Sequence, residues 1–191
     1  MSRLDLVVGP NGAGKTTFVR HVLAPELPGA RFVDPDVIAA ARWPEDPGAH
    51  AYEAMEVAAA TRSALIGRGE DVIAETVFSH ESKLDLVRTA SRAGYIVAMH
   101  VLLVPVELSV ARVSARVRSG GHDVPVEKIR TRFDRLWPLV RLAIEEVDTA
   151  VVWDNAHLAG PVLAAQFVHG LCSGRPTWPD WAPPALTVGW D

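Results

Sequence analysis

The stretch Gly9-Pro10-Asn11-Gly12-Ala13-Gly14-Lys15-Thr16-Thr17 sets Gly9 and Gly14 ahead of a lysine and a threonine. That is the G-x-x-x-x-G-K-[ST] spacing of a P-loop. Glycines let the backbone curl so that several N–H groups point at phosphate oxygens, aided by the positive end of the helix that follows. Lys15 is then placed to reach the β- and γ-phosphates of ATP, and the Thr16 hydroxyl to bind Mg²⁺. The alternative is a glycine-rich turn with no ligand. At an average glycine usage of ~7%, a chance match in a chain of this length is on the order of one in a hundred. Residues 9–17 are therefore the expected ATP site.

A phosphate cradle needs something to receive or release the phosphoryl group. The segment "RFVDPDVIAA" carries Asp36 at the mouth of a strand, where it could take a proton from an acceptor hydroxyl or aim that hydroxyl. Asp36 could equally be the N-cap of a helix over Val37–Ala41, and both roles are compatible. Asp34 points to roughly the same side if the chain stays extended through Pro35. Further on, "DVIAETVFS" brings Glu75 and Thr76 to the same sheet edge. They could ligate the metal's water shell or hold substrate hydroxyls; Glu75 could also be an edge residue facing water.

Arg112 and Arg116 stand one helical turn apart in "ELSVARVSARVRSGGHDVP", opposite a stripe of Val110, Val113 and Val117. Ser119-Gly120-Gly121-His122 reads as a flexible joint, after which come Arg130 and Arg132. Two arginine-bearing helices across a glycine hinge suit a lid closing on a nucleotide, since guanidinium forks match a transferring phosphoryl group. A solvated basic face is the alternative for any one of these arginines. His122 could donate to a phosphate or fix the turn. The histidines show no metal-ligand spacing, so no zinc site is expected. Asp154-Asn155 closes the last strand near the expected nucleotide base.

The elements that must position these residues alternate. Apolar runs at Leu4–Val8, Arg31–Val33, Asp71–Ala74, Ile96–Val104 and Ala150–Trp153 read as strands. Helical patterns fill Lys15–Leu23, Ala49–Ile66, Glu81–Ala93, Val106–Val117, Val126–Val147 and Pro161–Leu171. The clearest is Val126–Val147, where Val126, Ile129, Phe133, Leu136, Trp137, Val140, Ile144 and Val147 make one stripe, with a kink or break expected at Pro138. The pattern predicts an α/β fold: a P-loop sandwich with a parallel sheet between helical layers, nucleoside-kinase-like, with an arginine-bearing helical lid. One domain is expected over residues 1–171. The Pro- and Trp-rich tail 172–191 is expected to pack on its surface.

Bulk properties narrow the partners. The chain has 191 residues, 49% hydrophobic and 22% charged, which suits a globular domain with a substantial core. A net charge of −4 gives no general drive toward nucleic acid or anionic membranes. The one cysteine, Cys172, excludes an internal disulfide. No apolar stretch reaches the ~18 residues of a membrane span, and the start carries no signal-peptide core, so a cytoplasmic protein is expected.

Together, "GPNGAGKTTF", "FVDPDVIA", "ETVFS", "AGYIV", "ARVSARVRSGGHDVPVEKIRTRF" and "WDN" resemble, in order, the zeta toxin family of P-loop kinases, close to proteins called predicted ABC-type ATPases. The resemblance covers most of residues 1–155. It implies ATP-dependent phosphorylation of a small-molecule hydroxyl, the best-known acceptor being the amino-sugar 3′-hydroxyl of UDP-N-acetylglucosamine. It carries over Lys15 and Thr16 as phosphate and Mg²⁺ ligands, Asp36 as general base, Glu75 and Thr76 as sugar-nucleotide ligands, and Arg116, Arg132 and Arg112 as a phosphate clamp. An antitoxin protein is the implied partner. Pro35 and Val37 flank Asp36 where the family commonly has a small and an acidic residue, and the chain is shorter than the sugar-nucleotide toxins, so the acceptor stays open.

Other readings share the P-loop. A kinase acting on a nucleoside, an antibiotic hydroxyl or a nucleic-acid end uses the same layout, with the acidic balance against the last. A nucleotide-gated module, or an ATPase without a small-molecule acceptor, is a third class. A transporter ATPase subunit, suggested by "RSGGH", fails because "DVPVEKIRTRFDRL" follows instead of an apolar run ending in Asp-Glu.

Overall fold

The computed structural model describes residues 1–119, 121 and 123–190. Gly120 and His122 of the expected lid joint lie outside the described residues.

Five strands run parallel in the order β2-β3-β1-β4-β5: β1 (Arg3–Val8), β2 (Arg31–Val33), β3 (Val72–Thr76), β4 (Ile96–Leu103) and β5 (Thr149–Asp154). Two antiparallel strands, β6 (Val162–Val168) and β7 (Leu171–Cys172), extend the sheet beyond β5. Side-chain alternation explains why β1 reads as a continuous apolar run. Leu4, Leu6 and Val8 enter the larger core on one face, while Val7 joins Phe18, Val19, Ile73 and Leu102 on the other. Val7 lies opposite Glu75 and Val8 opposite Thr76, so β1 and β3 finish level. The loop leaving β1 therefore emerges beside the last residues of β3.

The helix after the P-loop starts as α1 (Lys15–Phe18), passes through a π-helical turn (Val19–Leu23) and ends as α2 (Ala24–Glu26). Then come α3 (Pro35–Arg42), α4 (Ala51–Gly67), α5 (Ser82–Arg92), α6 (Val106–Arg118), α7 (Val126–Glu146) and the short α8 (Pro184–Thr187). Between α6 and α7 lies a small apolar cluster of its own. Val113, Val124 and Ile129 are buried there, with Val110 and Val117 packed against them. An ion pair from Arg130 to Glu107, at 2.7 and 2.9 Å, ties the two helices together.

Three expectations need correction. The segment Pro161–Leu171, expected as a helix, is β6 running back along β5 into the β7 turn. Its burial alternates at Ala165, Gln166, Phe167 and Val168, and a bulge opposite Val152 and Trp153 shifts the phase ahead of that run, which hid the period of two. Pro138 does not break α7, which is helical from Val126 to Glu146. Pro138 and Asp134, four residues earlier, are both exposed, so the carbonyl that loses its donor is on the solvent side. Finally, β3 runs to Thr76, so Glu75 and Thr76 lie within the strand's end rather than after it.

In the tail, Trp178, Trp181 and Trp190 are half-buried against the larger core. The Trp190 ring lies 4.7 Å from Phe167 and carries the Arg141 guanidinium 3.7 Å from its centroid.

Candidate active site

The P-loop has the backbone that its glycines predict. Gly9, Gly12 and Gly14 have φ of 156°, 74° and 87°. A Cβ on Gly9 would stand 2.7 Å from the Leu102 carbonyl, and one on Gly12 2.7 Å from the Ser109 carbonyl. No side chain fits at either place, so the loop is packed tightly against β4 and α6. Lys15 Nζ donates to the Gly9 and Pro10 carbonyls at 3.1 and 3.0 Å, holding the ammonium across the mouth of the loop. Asn11 Oδ1 is buried there without a hydrogen-bond partner.

Two residues brace this loop from outside the motif. The Ser109 hydroxyl donates to the Asn11 carbonyl. Asn155 donates from its side chain to the Ala13 carbonyl at 2.7 Å and from its backbone to the Leu103 carbonyl at 2.9 Å. Asn155 also accepts from Arg112 at 3.1 Å through its own carbonyl, which seats that arginine against the loop. Ser109, one of two serines in α6, carries no sequence signal of this role. Asn155, after β5, borders a cavity of about 310 Å³ shared with Gly14, Thr17, Phe18 and His21.

The carboxylates converge on Lys15 and Thr16. The Thr16 hydroxyl lies 3.0 and 3.1 Å from the two Glu75 oxygens. Burial pushes the Glu75 carboxyl above the ordinary glutamate range; Lys15 opposes this, and the charges of Asp34 and Asp36 add to it. Burial likewise lowers the Lys15 ammonium, countered by Glu75 and then Asp36, while Arg116 acts in the same sense as burial. These groups share one electrostatic site.

Asp34, not Asp36, caps α3: its Oδ1 accepts the Asp36 N–H at 2.8 Å. Burial raises the Asp34 carboxyl, against that hydrogen bond. Capping by Asp34 leaves the Asp36 carboxylate exposed in the first turn, without a hydrogen bond or ion pair from any described residue. Thr76 is already engaged, since its hydroxyl accepts from the N–H of Phe78, which has a φ of 60°. Arg116 is exposed near the end of α6, within electrostatic range of Lys15. Arg132 is not brought to the loop. It is half-buried near Tyr52 on α4, burial lowering its guanidinium.

Among the described residues no group of three or more His, Cys, Asp or Glu is arranged to hold a metal. A Mg²⁺ on a P-loop does not require one, because a hydroxyl, a carboxylate, waters and the phosphates themselves complete its shell. Thr16 and Glu75 are a hard-oxygen pair that fits. Among the described residues no helix is long and apolar enough to cross a membrane.

Solved structures share this fold. No curated protein matches the chain. Among solved structures it resembles the AvrRxo1-ORF1:-ORF2 complex with ATP at 18% identity and a TM-score of 0.71, over 91% of this chain and 60% of that one. It resembles the PezAT chromosomal toxin–antitoxin system of Streptococcus pneumoniae at 17% identity and a TM-score of 0.64, over 85% and 70%. It also resembles shikimate kinase from Acinetobacter baumannii in complex with shikimate, at 26% identity and a TM-score of 0.51, over 75% and 80%. The chain thus spans about 60% of the length of the AvrRxo1 chain it matches. The architecture is the α/β fold of P-loop kinases. The model of the AAA domain family AAA_33 matches residues 4–139, from β1 through the P-loop and α6 into α7, and the chain belongs to that family.

Proposed function

We propose that this protein is an ATP-dependent kinase of the zeta toxin type, transferring the γ-phosphate to a hydroxyl of a small molecule. The observation that carries this reading is the convergence of Lys15, Thr16, Glu75 and an uncommitted Asp36 at one sheet edge. A nucleotide-binding module needs the first two; a free carboxylate facing them is what an acceptor hydroxyl requires. ATP would lie along residues 9–17, with its base in the cavity beside Asn155 and Phe18. Its phosphates would draw Lys15 off the Gly9 and Pro10 carbonyls. Thr16 and Glu75 would hold Mg²⁺, which supplies charge neutralisation at the phosphates when bound. Asp36 would aim the acceptor hydroxyl and take its proton, while Arg112 and Arg116 steady the transferring group and Arg132 arrives as the lid closes.

The resemblance to zeta toxins makes UDP-N-acetylglucosamine the first acceptor to try, and the likeness to the PezAT fold supports an antitoxin as partner. ATP as the donor supports a cytoplasmic location for the reaction. Incubation with γ-labelled ATP, Mg²⁺ and a panel of UDP-sugars, nucleosides and aminoglycosides tests the reading. Label on an acceptor hydroxyl supports it. Label found only in free phosphate makes the protein an ATPase and overturns it.

A further inference from the structure

We propose that His157 reads the base of the bound nucleotide, accepting a hydrogen bond from the 6-amino group of adenine and so favouring adenine over guanine. The inference rests on the reading above that seats ATP along residues 9–17 with its base in the cavity beside Asn155. It does not depend on which acceptor is phosphorylated.

The cavity adjoins the phosphate cradle. Gly14 and Thr17 of the P-loop line it, together with Phe18, Asn155, His157 and Leu158. Asn155 is itself bonded to the Ala13 carbonyl at 2.7 Å, which fixes the chain leaving β5 to the P-loop. The volume of about 310 Å³ falls in the range of small-molecule sites. A triphosphate held on the loop thus has this recess beside it for the base. Leu158 is fully exposed, an apolar side chain at the cavity with no protein surface over it. The flat face of a purine would cover it.

The edge of a base needs a polar group of fixed polarity, and His157 has one. Its Nε2 lies 3.0 Å from Asp154 Oδ2. Asp154 is buried at the end of β5, and its other oxygen accepts the Ala156 N–H at 2.9 Å. A carboxylate only accepts, so the imidazole proton belongs on Nε2. The neutral ring then keeps a lone pair on Nδ1, to which no described residue donates.

An acceptor at that point suits the 6-amino group of adenine. Against the 6-oxo group of guanine it sets lone pair against lone pair. A carboxylate could instead take guanine's N1–H and 2-amino pair, but Asp154 is already engaged by His157 and Ala156. His21, the other imidazole on this cavity, has no hydrogen-bond partner among the described residues to fix its tautomer. It can present either polarity and so discriminates nothing.

The test compares nucleotides within one protein. Equilibrium binding of ATP, GTP and purine riboside triphosphate, which lacks the 6-amino group, is measured with Mg²⁺ on the full chain. Wild type is set beside His157→Phe, which keeps a ring and cannot accept a hydrogen bond; should that variant not fold, His157→Ala replaces it. Wild type is expected to bind ATP about tenfold more tightly than either of the others, and the variant to bind all three within about twofold. A purely structural His157 would weaken all three alike and leave their ratios unchanged. Unchanged ratios, or no preference in wild type, overturn the inference. ATP bound selectively but transferred to no acceptor would end the kinase reading and leave this inference standing. Binding of none of the three would overturn the cavity as a base site, and the role of His157 with it.

Discussion

Thr16 and Glu75 are joined directly: the P-loop hydroxyl lies within hydrogen-bond distance of both oxygens of a carboxylate on the neighbouring strand. The register that sets Val7 opposite Glu75 makes the contact inevitable once β1 and β3 pair. A hard-oxygen pair is thus held ready before any nucleotide arrives, and Glu75 is held in an environment that resists its ionisation.

Glu75→Gln should therefore lower Mg²⁺-dependent turnover about 10- to 100-fold. The pH profile gives a second signature. Burial raises the folded Glu75 carboxyl above its unfolded value, so the protonated form is favoured by folding. That contribution to stability is present below the ordinary glutamate range and lost as pH rises through the raised value. Metal-dependent activity should climb over the same window as the carboxylate forms, and the climb should flatten in Glu75→Gln. An unchanged acid limb in the variant would remove Glu75 from the metal site.

Lys15→Ala and Asp36→Ala should fail differently. The first deletes the cation that bridges the loop mouth and should weaken ATP binding and turnover together. The second leaves the cradle untouched and should retain ATP affinity while slowing transfer about 10²- to 10⁴-fold. ATP titration beside single-turnover transfer separates them. Full transfer rates in Asp36→Ala would end its role as base.

The two arginines proposed for the lid should also separate. Arg116 stands in the field of Lys15, and Arg116→Ala should slow the chemical step about 10²-fold. Arg132 lies near Tyr52 and, in the proposed mechanism, arrives only as the lid closes, so Arg132→Ala should slow the same step only when nucleotide and acceptor are both bound. Rapid-quench rates that are identical for wild type and Arg132→Ala would leave Arg132 as a contact of α4.

What the chain reveals about itself divides along physical lines. The P-loop, the parallel strands and the α7 stripe are legible because each is local: a motif, an apolar run, a repeat of three and four. Residues acting through space are not. Ser109 reaches Asn11 across 98 positions, and Asn155 reaches Ala13 across 142. The mistaken helix at Pro161–Leu171 has the same origin, since a bulge set by pairing with β5 disguised its alternation. The alternative in which Asp36 caps the helix falls because Asp34, two residues earlier, has the extended backbone an N-cap needs.

Gly12→Ala tests how tightly the cradle is built. The new Cβ would meet the Ser109 carbonyl at 2.7 Å, and the φ of 74° disfavours any side chain. Destabilisation of about 1–3 kcal/mol is expected, together with weaker ATP binding. Gly29→Ala, with nothing within 4 Å of its new methyl, should stay within ~0.5 kcal/mol of wild type. Urea unfolding of both variants makes the comparison; equal stabilities would mean that the loop can shift to admit a side chain.

Asp5 sits beneath the site, 1% exposed, bonded to Arg3 at 2.7 and 2.8 Å and to His100 at 3.0 Å. Burial alone would raise its carboxyl, but the hydrogen bonds from His100 and Arg3 outweigh it, and the net direction is down. A depressed folded value contributes stability that is present above the unfolded aspartate range and is lost as pH falls through the folded one. Asp5→Asn keeps the shape and removes the charge, leaving His100 and Arg3 without their anion. At neutral pH it should destabilise the fold by about 3 kcal/mol. As pH falls below the ordinary aspartate range, wild type should lose this advantage and the two unfolding curves should converge. Because the His100 ring packs tilted against Phe18 with centroids 5.7 Å apart, in the helix that opens at Lys15, the same loss should loosen the P-loop and weaken ATP binding in step. Denaturation midpoints that stay parallel from neutral to acid pH would show that the Asp5 charge contributes nothing to holding β1 and β4 beneath the site.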